Sequence, residues 1–473
     1  MINVTKQRLK YIVADYLSTA LALALFSVAR YFMIDSINEV YHGFVNFLRS
    51  QGVIQGLIYF PPLMMLIYYL AGIYDNVIQR SRLHEMVSTF TTSCIGALIY
   101  FFGALLNDYI PQTRMSYEMI LLLVLLLFIC VYTCRAIITR YTTRKVHSGE
   151  WGFNTLIVGT SEAARKLAVD LKTRYRSMGL KVVGYVNTID GFTPRDGLDL
   201  PVYELDTLDT VVVEQNIQKL IITPNRHGRR ATVDIINRLF PLDLSMFITP
   251  DLYNLMTMRP RMSNVAALPL IDISRCDMPP STLNIKRLSD VVVSVIALIL
   301  LSPILAAIAV MIKLDSPGPV FYKQTRIGYH KRPFDIIKFR TMIPEAEAAG
   351  PALSTDNDPR ITRIGRVLRK YRLDELPNFW NVVRGDMSLV GPRPEREFYI
   401  KQITERAPYY TMIHQVRPGI TSWGMVQYGY ANTVDGMIER LKYDLIYIEN
   451  VSFLVDIKIL IYTIRTVVTG RGM

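Results

Sequence analysis

The chain has 473 residues, 51% of them hydrophobic, and carries 53 lysines and arginines against 40 aspartates and glutamates. A mean hydropathy of +0.23 is high for a soluble protein and low for a pure set of membrane helices, so a membrane part joined to water-facing domains is expected. Four cysteines are too few for a disulfide framework, no Cys or His pair has zinc spacing, and the net charge of +13 comes without a nucleic-acid-binding signature.

Four apolar runs come first: Tyr11–Ile34, Val53–Ile73, Val87–Leu106 and Tyr117–Ile138. Each is close to the ~20 residues a helix needs to cross a bilayer. The first follows basic residues, as in a signal peptide. It is long, however, no small-residue cleavage site leads into a soluble domain, and more apolar runs follow, so it reads as a span. Lys6, Arg8 and Lys10 precede the first run. Arg80 and Arg82 separate the second from the third, and Arg135, Arg140, Arg144 and Lys145 close the fourth. The loops Asp35–Ser50 and Asn107–Ser116 hold few basic residues. The positive-inside rule therefore places the N-terminus, the 74–86 loop and everything beyond Lys145 in the cytoplasm. Cys94, Cys130 and Cys134 lie in apolar runs and Cys276 stands alone, so all read as reduced packing thiols.

A water-soluble α/β segment follows. Thr155-Leu-Ile-Val-Gly159, Lys181–Val186 and Lys219–Thr223 read as strands, with helices at Ala163–Thr173 and Ala231–Leu239. Strand–helix alternation predicts a small doubly wound parallel sheet. The turn Gly159-Thr-Ser-Glu-Ala-Ala164 is Rossmann-like but lacks the second glycine that admits a pyrophosphate. A structural or regulatory domain is the reading preferred over a dinucleotide site.

A fifth apolar run, Val291–Ile312, has Ser302-Pro303 at its middle. Lys286 and Arg287 precede it, and Lys313, Lys323 and Arg326 follow. Basic residues at both ends keep both ends inside. Proline breaks the helical ladder, and the serine can bond a freed carbonyl. A helix–break–helix that enters and leaves on one face satisfies both signals; the other reading is a proline-kinked full span. Further on, Ile361, Ile364, Val367, Leu368 and Tyr371 share a helical stripe beside Arg360, Arg363, Arg366 and Arg369, which suits a membrane-surface helix. The tail Val451–Val468 is apolar but interrupted by Asp456, Lys458 and Arg465, so it too reads as interfacial.

The chemistry centres on Arg372-Leu-Asp374-Glu375-Leu-Pro377. Adjacent carboxylates can divide roles, one attacking while the other holds a metal or tunes charge. Such a pair alone is most often a solvated surface feature; its surroundings raise it. Lys338-Phe-Arg340 presents two cations at strand spacing. Gly391-Pro392-Arg393-Pro394 and Val416-Arg417-Pro418-Gly419 are rigid turns, each presenting an arginine fork suited to phosphate. Cationic turns around an acidic pair describe a site for a metal-bound diphosphate.

With LDELP, RGDMSLVGPRP and VRPGIT in this order, the chain resembles the polyprenyl-phosphate hexose-1-phosphate transferases, monotopic phosphoglycosyl transferases of bacterial surface-polysaccharide synthesis, in their long form. The match in motifs runs from about Asn284 to the C-terminus. The resemblance implies a four-helix transmembrane bundle (1–145), a Rossmann-like cytoplasmic domain (151–277) and a re-entrant membrane helix broken at Ser302–Pro303 (284–313). A mainly α catalytic domain with interfacial amphipathic helices follows (314–473). It implies transfer of sugar phosphate from a UDP-sugar to undecaprenyl phosphate with release of UMP, at the inner membrane and facing the cytoplasm. Asp374 would be the nucleophile, forming a covalent phosphosugar intermediate, with Glu375 supporting it. Mg2+ (or Mn2+) would sit at Asp374, Glu375 and Asp456, with Asp444 the alternative third acid. Lys338, Arg340, Arg393 and Arg417 would meet phosphate. One stretch departs from the pattern: many members read Thr-Gly-Trp-Ala-Gln-Val where this chain has Thr421-Ser-Trp423-Gly-Met-Val-Gln-Tyr428. Sugar identity is therefore left open, as is the oligomeric state, for which a homodimer is one reading. The rival enzyme class is a membrane-attached, NAD-using nucleotide-sugar dehydratase. Its Tyr-x-x-x-Lys could only be Tyr141…Lys145, which has no strand context. A non-enzymatic membrane scaffold would leave the cationic turns unexplained.

Overall fold

In lipid a long apolar run must satisfy its own backbone, which leaves the α-helix as its economical form. The computed structural model describes residues 4–468 except 76, 79–81, 106–112, 174–178, 189–198, 224–228, 243, 250–269, 274–277, 344–357 and 430. Arg80, Cys276, Leu106 and most of the 107–116 loop lie outside the described residues. Among those described, five helices are long and apolar enough to cross a membrane, and they coincide with the five runs. The first four are α1 (Val4–Met33), α2 (Gln51–Leu70), α3 (Arg82–Tyr100) and α4 (Thr113–His147). Each overruns its apolar run into polar sequence at one or both ends, because backbone hydrogen bonding does not stop where hydropathy does.

Two compact units emerge: Met1–Pro224 with Phe247–Ile271, and Asn225–Met246 with Asp272–Met473. After α4, Trp151 bonds back to Lys145 and stacks edge-on against Tyr141.

In the first unit α1 packs against α2 and α4, and α3 against α4. Their shared interior is polar at one level. Asp15 and Arg135, both fully buried, form a two-pronged ion pair at 2.8 Å on each prong. Thr89 accepts from Arg135, Tyr74 donates to Asp15, and the guanidinium lies 4.3 Å from the Tyr68 ring centre. Charges in such surroundings persist only when paired in this way.

After α4 come strands β1 (Phe153–Val158), β2 (Leu180–Asn187), β3 (Val202–Glu204), β4 (Lys219–Ile222), β5 (Ser245–Ile248) and β6 (Ile271–Asp272). Their order is β3-β2-β1-β4-β5-β6, the doubly wound arrangement, with β1 parallel to β2 and β4 and β2 parallel to β3. The sequence reading located three of the six; β3, β5 and β6 are too short or too polar to stand out. Gly159, at the end of β1, has φ +124°. A Cβ there would lie 2.3 Å from the Thr223 hydroxyl, so this glycine serves strand packing. Ser161 accepts the Ala164 N–H at the start of the next helix, α5 (Glu162–Thr173), and Glu162 adds a negative charge where a pyrophosphate would sit. These features favour the structural reading of the domain.

The second unit holds α6 (Pro280–Asp315), a 36-residue helix with Pro303 inside it. Helical backbone continues on both sides of the expected break. Pro303 has no N–H to offer the Ile299 carbonyl four residues back, and the Ser302 hydroxyl donates to that same carbonyl at 2.8 Å. Helices α7 (Arg363–Lys370), α8 (Asn378–Arg384), α9 (Val434–Glu449) and α10 (Phe453–Val468) follow. The unit is less purely helical than expected. Strands β7 (Phe321–Ile327) and β8 (Pro333–Phe339) form an antiparallel hairpin, and β9 (Ser388–Val390) and β10 (Gly419–Thr421) a parallel pair. Of the apolar stripe on α7, Leu368 is buried while Val367 is exposed.

Both ends of α6 dock on this unit. Near its start Arg287 donates to the Val382 and Val383 carbonyls at the end of α8, and Asp290 accepts from Ser388 at 2.6 Å. Near its end Ile308 and Ile312 pack with Phe339 and Leu368, and Asp315 accepts the Ile364 N–H of α7. Between these contacts Ile299 and Leu300 remain 67% and 71% exposed.

Breaking one partner of a buried ion pair strands the other charge and costs roughly 3–5 kcal/mol. Arg135→Met should therefore lower the unfolding midpoint of the detergent-purified protein sharply. The double change Asp15→Leu/Arg135→Met should be milder than either single change. Equal or additive losses would show that the pair is not coupled.

Candidate active site

Helix α7 starts with Thr362, whose hydroxyl accepts the Gly365 N–H. It ends at Arg372, a non-glycine residue in the left-handed region with φ 54°. That conformation costs on the order of 1–2 kcal/mol and turns the chain into a single 3-10 turn, Leu373–Glu375. The two carboxylates of the turn face different surroundings. Glu375 is only 5% exposed. Lys338, reaching in from β8, lies 2.7 Å from its Oε1, and Arg393 donates to the same oxygen at 3.3 and 3.4 Å. Asp374 is half-buried and has no hydrogen-bond partner among the described residues.

Electrostatics separate the two acids further. Burial by itself would raise Glu375, but the fields of Lys338, Arg393 and Arg372 outweigh it and hold the carboxyl well below the usual range. Asp374 is pushed up to about 6, first by burial and then by the charge of Glu375, with Lys338, Arg369 and Arg393 pulling the other way. Burial likewise pushes Lys338 below its ordinary value, against the pull of Glu375. One acid is thus a fixed anion satisfied by cations. The other is a carboxylate with no hydrogen-bond partner among the described residues, beside the same two cations. Such an arrangement can present an oxygen nucleophile to a phosphoanhydride while neutralising its charge.

The structure gathers Lys338, Arg393, Asp374 and Glu375, and sends the other expected residues elsewhere. Arg340 lies just past the end of β8 and bonds the Ser316 and Pro317 carbonyls, tying down the end of α6. Arg417 donates to the Gly385 carbonyl and stacks over Tyr329. Asp456 is paired with Lys286 at 2.5 Å and accepts from Tyr447 at 2.7 Å. Asp444 accepts the backbone N–H of Gly424 at 3.0 Å. Burial pushes its carboxyl up to about 6, opposed by Arg440. Among the described residues no three His, Cys, Asp or Glu side chains gather at metal-binding spacing. Of the acids expected to hold a divalent cation, Asp374 and Glu375 lie at the turn, while Asp456 and Asp444 are engaged by Lys286 and Gly424.

The sequence reading overlooked a buried charge cluster behind the Arg393 turn. Glu395 pairs with Arg326 at 3.2 Å and with Arg440. Arg440 and Asp444 are four residues apart on α9, so this spacing was a signal available for an inward-facing charged stripe.

A family model described as bacterial sugar transferase matches residues 281–470, the span that holds this site. A Caulobacter vibrioides protein named UDP-glucose:undecaprenyl-phosphate glucose-1-phosphate transferase is 41% identical over 186 residues, covering 39% of this chain and 70% of that relative. The chain belongs to the bacterial sugar transferase family. An Aeromonas hydrophila relative named UDP-N-acetylgalactosamine-undecaprenyl-phosphate N-acetylgalactosaminephosphotransferase is 47% identical over 188 residues, 40% of this chain and 44% of its own length. An Escherichia coli relative, also named as a UDP-glucose:undecaprenyl-phosphate glucose-1-phosphate transferase, is 36% identical over 234 residues, 49% and 50% of the two chains. The chain thus spans about half the length of these last two relatives.

The raised carboxyl of Asp374 gives a stability prediction for this family member. Burial favours its protonated form, so this contribution to stability is full below the ordinary aspartate range and is lost as pH rises through about 6. In chelator at pH 7.5, Asp374→Asn should raise the unfolding free energy by about 1–3 kcal/mol. The gain should vanish below about pH 4. Thermal unfolding across pH checks this, and an unchanged or lowered midpoint at pH 7.5 would contradict it.

Proposed function

We propose that this chain transfers the sugar 1-phosphate of a UDP-sugar to undecaprenyl phosphate, releasing UMP and leaving a lipid diphosphate-sugar, the first membrane step of a surface polysaccharide. The observation that carries the reading is the unpartnered Asp374 beside Glu375, the latter already neutralised by Lys338 and Arg393. The names of the relatives supply the substrate classes.

In the first half-reaction an Asp374 carboxylate oxygen attacks the phosphorus bonded to the sugar. The bond to the oxygen shared with UMP breaks, and UMP departs with that oxygen and its electron pair. The sugar phosphate is then an acyl phosphate on Asp374. In the second half an oxygen of the lipid phosphate attacks the same phosphorus, and the Asp374 carboxylate leaves unchanged. Lys338 and Arg393 neutralise charge that would otherwise repel an anionic nucleophile from an anionic diphosphate. Glu375 stays ionised and holds these two cations in place. Mg2+ or Mn2+, held by Asp374 and Glu375 when bound, would supply further charge neutralisation to the diphosphate.

In this reading the four N-terminal helices form a transmembrane bundle and the chemistry faces the cytoplasm, as the distribution of basic residues favours. Helix α6 enters and leaves the membrane on that same side. Supporting this, Arg287 and Asp290 near one end and Ile308, Ile312 and Asp315 near the other all dock on one unit, and the stretch between carries the exposed apolar surface. No observation favours the NAD-using dehydratase: Gly159 is taken up by packing on Thr223.

Asp374→Asn should reduce UMP release from a panel of UDP-sugars by at least ~1,000-fold, the scale seen when a nucleophile is removed. Wild-type protein in chelator should lose its activity and regain it on adding Mg2+. Robust turnover by the variant would refute the nucleophile, and full rate in chelator would refute the cation. Cysteines placed at Lys286 and Lys313 should both react with an impermeant reagent from the cytoplasmic side; reaction from opposite sides would make α6 a full span.

A further inference from the structure

Arg393 acts at the candidate site through its side chain, yet its position is set from behind. It lies in the turn between β9 and Glu395. Glu395, two residues on, is fixed by Arg326 and Arg440. Asp444, 4% exposed on α9 and four residues after Arg440, accepts the Gly424 N–H at 3.0 Å. Ser422 caps the same helical turn by accepting the Met425 N–H at 2.9 Å. That turn carries Met425, whose sulfur lies 3.3 Å from Nη1 of Arg393. Asp444 therefore holds the loop that backs the arginine. The junction has no slack: a Cβ on Gly424 would fall 2.9 Å from Asp444 Oδ1 and 2.6 Å from Arg440 Cγ.

From this geometry we infer that Asp444 is a positioning residue for Arg393, aiming the guanidinium at the sugar-linked phosphate and at Glu375. The inference rests on the transferase reading. It assigns Asp444 to neither the metal nor the chemistry, because its carboxylate is buried and engaged by the Gly424 amide. A buried carboxylate that accepts a backbone amide restricts the loop that bears the amide. Misplacing a phosphate-binding side chain by about 1 Å can cost ~100-fold in rate. The stretch 421–428, where this chain departs from the common motif, is thus coupled to the phosphate arginine through one side chain.

The test is a double-mutant cycle on the full-length protein, read as kcat and KM for UMP release from a UDP-sugar. Asp444→Ala should lower kcat/KM by roughly 10–100-fold. Arg393→Ala should cost at least as much. The double variant should be no more than about threefold worse than Arg393→Ala alone, because a positioning residue has nothing left to position. Asp444→Asn, which keeps one accepting oxygen, should recover most of the loss. Losses that multiply in the double variant would overturn the proposal, as would Asp444→Ala with unchanged kcat/KM. A general structural role would lower the unfolding midpoint and multiply with Arg393→Ala. If Asp444→Ala does not fold, the cycle with Asp444→Asn decides by the same criterion. Wild-type protein that releases no UMP from any UDP-sugar would sink the transferase reading, and this inference with it. Turnover with a multiplicative cycle would sink the inference alone.

Discussion

A carboxylate that is 5% exposed stays ionised only if cations meet it, and at Glu375 two of them do so on one oxygen. Lys338 comes from a β-strand, Arg393 from a proline-flanked turn and Glu375 from a 3-10 turn. None of the three elements is near another in sequence, so the ion cluster also fixes their mutual placement. Removing the acid would leave a lysine and an arginine buried side by side. Removing either cation would leave a charged carboxylate underneutralised. The arrangement thus couples the stability of the site to the charge pattern that the proposed chemistry uses. It leaves Asp374 without a hydrogen-bond partner among the described residues, as the proposed nucleophile requires.

The surrounding structure exists to hold those three elements. Helix α6 is clamped at both ends, by Arg287 and Asp290 at its start and by Arg340 and Asp315 at its finish. Asp456, Lys286 and Tyr447 join the start of α6 to α9 and α10. Behind Arg393, Glu395 fixes the turn through Arg326 and Arg440, and Asp444 holds the Gly424 loop that backs it. Each junction is a buried charge with a specific partner. Such pairs contribute little net stability relative to an apolar core, but each admits few alternative geometries. In the proposed reaction, where the site must match a diphosphate, that restriction is worth more than added stability. The Arg372 backbone, held in a left-handed conformation, is another instance of local cost accepted where geometry matters.

The spans were legible because an apolar run of about 20 residues admits one structure in lipid. Their ends were not, since α4 continues past its run to His147, where Thr139 and Thr142 bond Tyr11 and Gln7 of α1. The core strands β1, β2 and β4 were legible from their apolar runs, whereas β6, two residues long, carries no pattern of its own. In the acidic pair the sequence supplied the residues and the order of the blocks. It also pointed to Lys338 and Arg393 as the cations around them. Arg340, read as the second cation of a strand, lies past that strand's end at Phe339 and turns to the Ser316 and Pro317 carbonyls.

Sequence by itself determined the membrane helices, the doubly wound sheet, the family resemblance and the identity of the acidic pair. These depend on local composition, on short-range periodicity and on blocks contiguous in the chain. Only the tertiary structure decided which cations reach Glu375, that Asp456 and Asp444 are taken up by other partners, and that Asp374 is left without one. Those outcomes depend on which side chains from distant segments share one buried volume. There, the cost of an unpaired charge selects the pairing, and no single segment carries that information.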